Sequence, residues 1–310
     1  MSQCRKTHNN NTSRNVEAKR DPYTKHHNDM KKTLLLIIAM LLPMLYASAQ
    51  QCTPKPENYD EFYKTKTLVV LDDNMFSDFN MAIKKDMDDN WPTEVGYITR
   101  SEFEKKRSDP QYTFLLTTTV TYLDDKSKAE YIYLSLLRGK PKTKLKDMPD
   151  LISVPLAYKS ATDQRWVYKL PAFLRFILHH VETMRANPSL ISDTPLLMYN
   201  KNSQSLAQKT LYLVKTDLES SIQTEGAIRK VYPYNFRIVN ESEVREALEE
   251  KRKDVVIFHK VGPEKNRKTR CYKMLMGADD SQIYYFDYHM VSPKAPDALL
   301  QKDLKKIGKS

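Results

Sequence analysis

The chain repeats its own pattern. Lys66-Thr67-Leu68-Val69-Val70-Leu71 opens one half and Lys209-Thr210-Leu211-Tyr212-Leu213-Val214 opens the other. The same succession of apolar periodicities follows each opening. In the first half, residues 67–71 read as a strand, broken by Asp72-Asp73-Asn74. Phe76, Phe79, Ile83 and Met87 recur at helical spacing, so 76–89 reads as an amphipathic helix. Trp91-Pro92 ends it, because a residue before proline avoids the helical region. A strand at 94–99 follows. Ser101, with Glu104 three residues on, reads as the cap of a second helix. Strands at 112–122, 130–137 and 151–158 precede a helix at 170–185, in which Leu170, Phe173, Leu174, Ile177, Leu178, Val181 and Met184 form one stripe.

The second half gives the same order. Strand 210–214 leads to a helix over 218–231 that Gly226 weakens, then a strand at 236–239. Asn240-Glu241-Ser242-Glu243 starts a helix running to Lys251 and matches Thr99-Arg100-Ser101-Glu102. Strands at 255–261, 271–276 and 282–291 and a weaker helix at 296–307 complete it. The fold class is therefore α/β (α+β): two similar tandem domains, each a mixed sheet of order β-α-β-α-β-β-β-α. The β-α-β units imply parallel strands and the β-β-β run antiparallel ones, with helices mostly on one face. The domains run over 66–186 and 209–310. Residues 50–65 form an amino-terminal segment and 187–208, with Pro188 and Pro195, a linker. The competing reading is one large mixed sheet.

A leader precedes this tandem. Met30-Lys31-Lys32 is a basic n-region, 33–46 is almost wholly apolar, and Ala47-Ser48-Ala49 is an A-x-A exit. Cleavage between Ala49 and Gln50 follows, and the apolar run is shorter than the roughly 20 residues of a membrane-spanning helix. Residues 1–29 are polar and aperiodic, and read as a disordered extension or as the product of a start placed before Met30. The chain has 50 basic and 39 acidic residues, net +11; residues 1–49 hold eight and three of these, so +6 remains beyond them. That excess is spread over a surface of mixed sign, whereas a nucleic-acid binder concentrates it on one face. The runs Lys140 to Lys146 and Lys265 to Arg270 fall between strands and read as solvated loops.

Little catalytic grammar is present. The six glycines, Gly96, Gly139, Gly226, Gly262, Gly277 and Gly308, are too scattered for a dinucleotide fingerprint or a phosphate loop. His179 and Glu182 share a helix face and could hold a metal or relay a proton, or simply form a polar helix side with Arg175 and Arg185. Asp72 and Asp73 follow the first strand, where α/β ligand sites form, with Thr216-Asp217 at the equivalent place. Capping of the next helix is the preferred explanation of them. Asp124-Asp125 and Asp279-Asp280 read as turns. Cys52 and Cys271 remain after cleavage and can form a disulfide in an exported chain. No cofactor and no metal is called for. Tyr131, Tyr133, Tyr284, Tyr285 and Tyr288 lie in strands, where they serve either the core or an exposed recognition face.

The element order of each half resembles the small α/β domain at the amino end of TolB-type periplasmic proteins. The leader ending Ala-Ser-Ala-Gln-Gln resembles those of secreted Bacteroidota proteins. These resemblances imply export and an envelope partner, and carry no active-site residue. The function expected is a non-enzymatic interaction or assembly protein, periplasmic or at the cell surface, without a membrane span once cleaved. The alternatives are an envelope hydrolase or metal-dependent enzyme using Asp72 and His179, and a glycan-binding module using strand tyrosines.

Overall fold

Lys66–Val70 (β1) is buried from Thr67 onward, so its backbone must be paired on both edges. In the computed structural model, which describes residues 53–87, 91–122, 125, 127–263 and 268–309, Val95–Ile98 (β2) and Tyr112–Thr121 (β3) flank it, both parallel. Thr67 stands opposite Val95 on one side and Thr113 on the other. From β3 the chain meanders antiparallel through Glu130–Arg138 (β4) and Asp150–Tyr158 (β5), giving the order β2-β1-β3-β4-β5. The second sheet repeats this strand for strand. Thr210–Val214 (β6) is flanked in parallel by Asn235–Val239 (β7) and Val255–Val261 (β8). Arg270–Gly277 (β9) and Ile283–Met290 (β10) follow antiparallel. Two similar five-stranded mixed sheets are thus the architecture.

Pro56–Phe62 (α1) precedes the first sheet. Helices Asp78–Met87 (α2) and Arg100–Lys106 (α3) connect β1 to β2 and β2 to β3. They cover opposite faces rather than mostly one. The chain steps outward from β1 and then back across it, and two right-handed crossovers in opposite directions must fall on opposite sides. Phe79, Ile83 and Met87 of α2 accordingly join Val69 and Leu115. Phe103 of α3 joins Leu68, Val70, Phe114 and Leu116.

Local capping moves two helix starts from where the periodicity put them. Ser77 accepts from the Asn80 amide, so α2 begins at Asp78 and Phe76 lies outside it, 87% exposed. The α3 cap is Thr99 rather than Ser101: its hydroxyl accepts from the Glu102 amide while the Glu102 carboxylate accepts from the Thr99 amide. Asn240 and Glu243 form the same box at Glu241–Glu249 (α6), so the two halves agree in the device as well as the position. The long helix expected over 218–231 is a 3-10 turn, Ser220–Ile222, and a short helix, Glu225–Arg229 (α5), capped by Thr224. The last helix begins at Gln301 (Gln301–Ile307, α7).

Leu170–Ala186 (α4) joins the halves. One core unites Val69, Leu134, Val154, Phe173 and Ile177 of the first half with Val255, Ile257 and Met274 of the second. Phe173 meets His259 edge to face at 4.9 Å, and Arg175 donates to Ser281 Oγ at 2.9 Å and to the Ala278 carbonyl at 3.1 Å. The edge strand β5 carries Pro155, which an edge tolerates. Its carbonyl accepts from buried His259 at 3.3 Å. The opposite face of the second sheet packs Val256 and Phe258 beneath Ile228, Leu304 and Ile307.

Residues 187–208 do more than link. They form 3-10 turns, Pro188–Leu190 and Pro195–Gln208. Asn200 pairs its side-chain amide with both backbone groups of Phe286, at 2.9 and 2.6 Å, and Asn202 donates to the Ile283 carbonyl at 2.9 Å. The outer edge of β10, which would otherwise offer open backbone groups, is thereby covered.

Candidate functional site

Alternation in β9 puts Arg270, Tyr272 and Met274 on one face, and register brings Tyr288 opposite Tyr272. That face turns toward the first half, where β4 presents Tyr131 and Tyr133, with Tyr122 just past the end of β3. Tyr272 becomes the hub of a ring cluster: Tyr131 at 5.5 Å, Tyr133 at 6.1 Å, Phe286 at 6.1 Å and Tyr288 at 5.6 Å between centroids. The Arg270 guanidinium lies between two of the rings, 3.6 Å from the Tyr122 centroid and 5.4 Å from that of Tyr288. Its own amide donates to the Tyr131 hydroxyl at 2.6 Å, and that hydroxyl donates to buried Asp125 at 3.0 Å.

Beside this cluster opens a cleft of about 330 Å³, bounded by the tyrosines, the start of β5 and residues 192–197. Tyr122 and Tyr133 share a hydrogen bond at 2.8 Å between hydroxyls. Burial, with the Tyr272 and Tyr122 hydroxyls next to it, pushes Tyr133 well above the ordinary tyrosine range; burial does the same to Tyr272. These phenols therefore stay neutral, able to donate and accept. Asp150 lines the cleft at the start of β5. Ser153 donates to it at 2.7 Å, and a chain of hydroxyls continues to Ser135 at 2.7 Å and Thr118 at 2.9 Å, across three strands. Crowding by protein atoms pushes the Asp150 carboxyl up to about 6, against the pull of the Ser153 hydroxyl. Asp193 lines the rim and accepts from the Thr53 hydroxyl.

The strand tyrosines Tyr133 and Tyr288 line this cleft, whereas the carboxylate and histidine candidates read from sequence fall elsewhere. Asp72 stands at the carboxyl end of β1, with Thr117 Oγ1 at 3.5 Å and Arg100 and Asp163 nearby; burial, then Asp163, raises its pKa. Its backbone N–H and C=O are both held by the Asn80 side chain, at 2.8 and 3.0 Å. Asp73 is exposed. Neither carboxylate caps α2, a task that Ser77 performs. His179 lies on α4 with Tyr199 as ring neighbour at 6.5 Å, and Glu182 is exposed. Nothing brings Asp72 and His179 together, and no group of three metal-binding side chains occurs among the described residues. Its neighbour His180 is fully buried against the Tyr199 hydroxyl at 2.9 Å, and burial lowers its pKa to about 3.

Cys271 is buried, where desolvation raises its thiol well above the usual range; Cys52, Ala49 and Gln50 lie outside the described residues, and with them the disulfide and the cleavage point. No helix among the described residues is long and apolar enough to cross a membrane. Asp125 and Asp280 sit in turns as read; Asp124 lies outside the described residues. Asp217, equivalent to the Asp72 region, borders a cavity of about 60 Å³ with Lys169, Glu241 and Lys260. Of the strand tyrosines, Tyr131, Tyr133, Tyr284 and Tyr285 are core, and Tyr288 is 47% exposed. Arg270, expected in a solvated loop, is buried on β9. The signal for it was a strand face reading Arg270, Tyr272, Met274: one cation among groups bound for the interior.

Comparison with known proteins finds no match: no family model, no curated protein and no solved structure is similar to the chain.

Proposed function

We propose that the chain is an exported, non-enzymatic binding protein of the interaction or assembly kind, acting in the cell envelope, and that the cleft beside Arg270 is its recognition site. The observation that carries this reading is the clamp on Arg270. A guanidinium fixed between two rings before any ligand arrives loses little freedom on binding. Tyrosine and arginine are also the residue types that dominate recognition hot spots. The leader around Ala49 and the TolB-like order of each half support an envelope location.

The test is capture of partners from crosslinked source-cell envelopes with tagged chain starting at Gln50, run beside a Tyr288→Ala variant. Tyr288 is half-exposed, so its truncation leaves the core intact. A stoichiometric partner lost in the variant supports the reading. Equal capture by both, or substrate turnover by the pure chain that Asp150→Asn abolishes, overturns it.

A further inference from the structure

We propose that the ligand of this cleft is a neutral saccharide, bound with the flat face of a pyranose ring against Tyr288. This rests on the reading of the cleft as a binding site. Three observations lead to it.

The first is charge. One cation, Arg270, and two carboxylates, Asp150 and Asp193, line the same small space. A phosphate or polyanion would meet both carboxylates. A purely apolar ligand would strip water from all three groups and pair none of them. A neutral, many-hydroxyl ligand can donate to the carboxylates and accept from the guanidinium at once.

The second is the polar lining. The Tyr122–Tyr133 hydroxyl pair and Ser153 line the cleft. Behind Ser153, buried Ser135 and then Thr118 continue the hydrogen-bond chain, which holds the lining donors and acceptors in fixed order. Ser153 spends its proton on Asp150, which fixes the carboxylate for further donors from the cleft. Such a set matches a ligand whose groups both donate and accept.

The third is the platform. Phe286 and Tyr272 stack within 19° of parallel, and Tyr288, tilted 45° from Tyr272 at 5.6 Å, stands half-exposed beside them as the surface a ligand meets. The Tyr288 amide is tied to Asp287 at 2.8 Å and its ring leans on Arg270, so the platform is set in advance. A ring with equatorial substituents offers an unbroken C–H face to such a surface. The cleft volume, about 330 Å³, lies at the small end of the roughly 300–1,000 Å³ of ligand pockets, which suits a short stretch of chain.

The experiment is calorimetric titration of the chain with cellohexaose and with chitohexaose, repeated on Tyr288→Ala and Tyr288→Phe. Expected is saturable binding of at least one hexamer at millimolar concentration or below. Tyr288→Ala should weaken it by about tenfold, roughly 1.4 kcal/mol, while Tyr288→Phe keeps the ring and retains affinity. No binding of either hexamer, or binding that Tyr288→Ala leaves unchanged, overturns the saccharide assignment. Should the hexamers fail while envelope capture still depends on Tyr288, the saccharide falls and the recognition site stands. Should both fail, the cleft is not the binding site.

Discussion

The Arg270 guanidinium lies 3.6 Å from the ring centre of Tyr122, a contact from the second half of the chain to the first. It closes one wall of the cleft and ties the two sheets together. Replacing Arg270 by Met should lower stability by about 2 kcal/mol, from the lost cation–ring attraction and stem packing. Lysine, a point charge without the planar stack, should restore less than half of that. Urea midpoints of the three proteins check it, and a neutral Arg270→Met would refute it.

Asp150 makes stability fall as pH rises. Its folded pKa, about 6, lies above the roughly 3.9 of a free aspartate. The folded chain thus holds the proton more tightly, and ionisation between about pH 4 and pH 6 costs stability that stays lost above. Asp150→Asn removes that cost. The variant should match the parent near pH 4 and exceed it at pH 8 by up to about 3 kcal/mol, less in proportion to the water the cleft admits. Thermal melts across pH 4–8 decide this; a variant no more stable at pH 8 than the parent would show that the carboxylate costs nothing.

His180 works in the opposite direction. Its folded pKa, about 3, lies below the ordinary imidazole value. Its neutral form therefore supports the fold fully above about pH 6.5, and protonation of the unfolded chain drains that support as pH falls toward 3, by an amount of order 4 kcal/mol. His180→Phe should lose something at pH 7, since Tyr199 loses its partner. The variant's stability should then slope less steeply between pH 6 and pH 4. Parallel slopes for the two proteins would exclude this.

Gly262 is required by close approach rather than by backbone angle. A Cβ there would stand 1.7 Å from Asp297 Oδ1. Asp297 holds Lys260 at 2.6 Å, with both side chains largely buried. Gly262→Ala should push the carboxylate off its lysine and cost about 3 kcal/mol, the range of a broken buried pair. A chemical-denaturation shift below 1 kcal/mol, on the scale of an ordinary surface change, would mean the loop yields instead.

Element order was legible in the sequence because strand periodicity is local: β6 and β8 fall on the residues that their β-branched runs mark, 210–214 and 255–261. Helix starts were less so. Ser101 and Thr99 both carry hydroxyls, and only the backbone path decides which one caps α3. The apolar residues of 218–231 keep helical spacing, yet Leu218 bridges to Leu299 and Thr224 restarts the chain as α5. The cleft was illegible for another reason. Tyr122, Asp150, Asp193, Arg270 and Tyr288 come from both halves and the stretch between them and meet only when the sheets dock, so no window of sequence contains them.

The two repeats do not face each other as twins. The first offers α4 and its edge strand β5, and the second receives them on the β8 face beside α6. Such a head-to-tail contact is not self-complementary, so its two sides remain available to further copies. A third repeat docking on β10 as the second docks on β5 would extend the series. Asn200 and Asn202, lying along β10, occupy the place that such a repeat would take. The stretch between the repeats thus covers the very edge on which a further repeat would add.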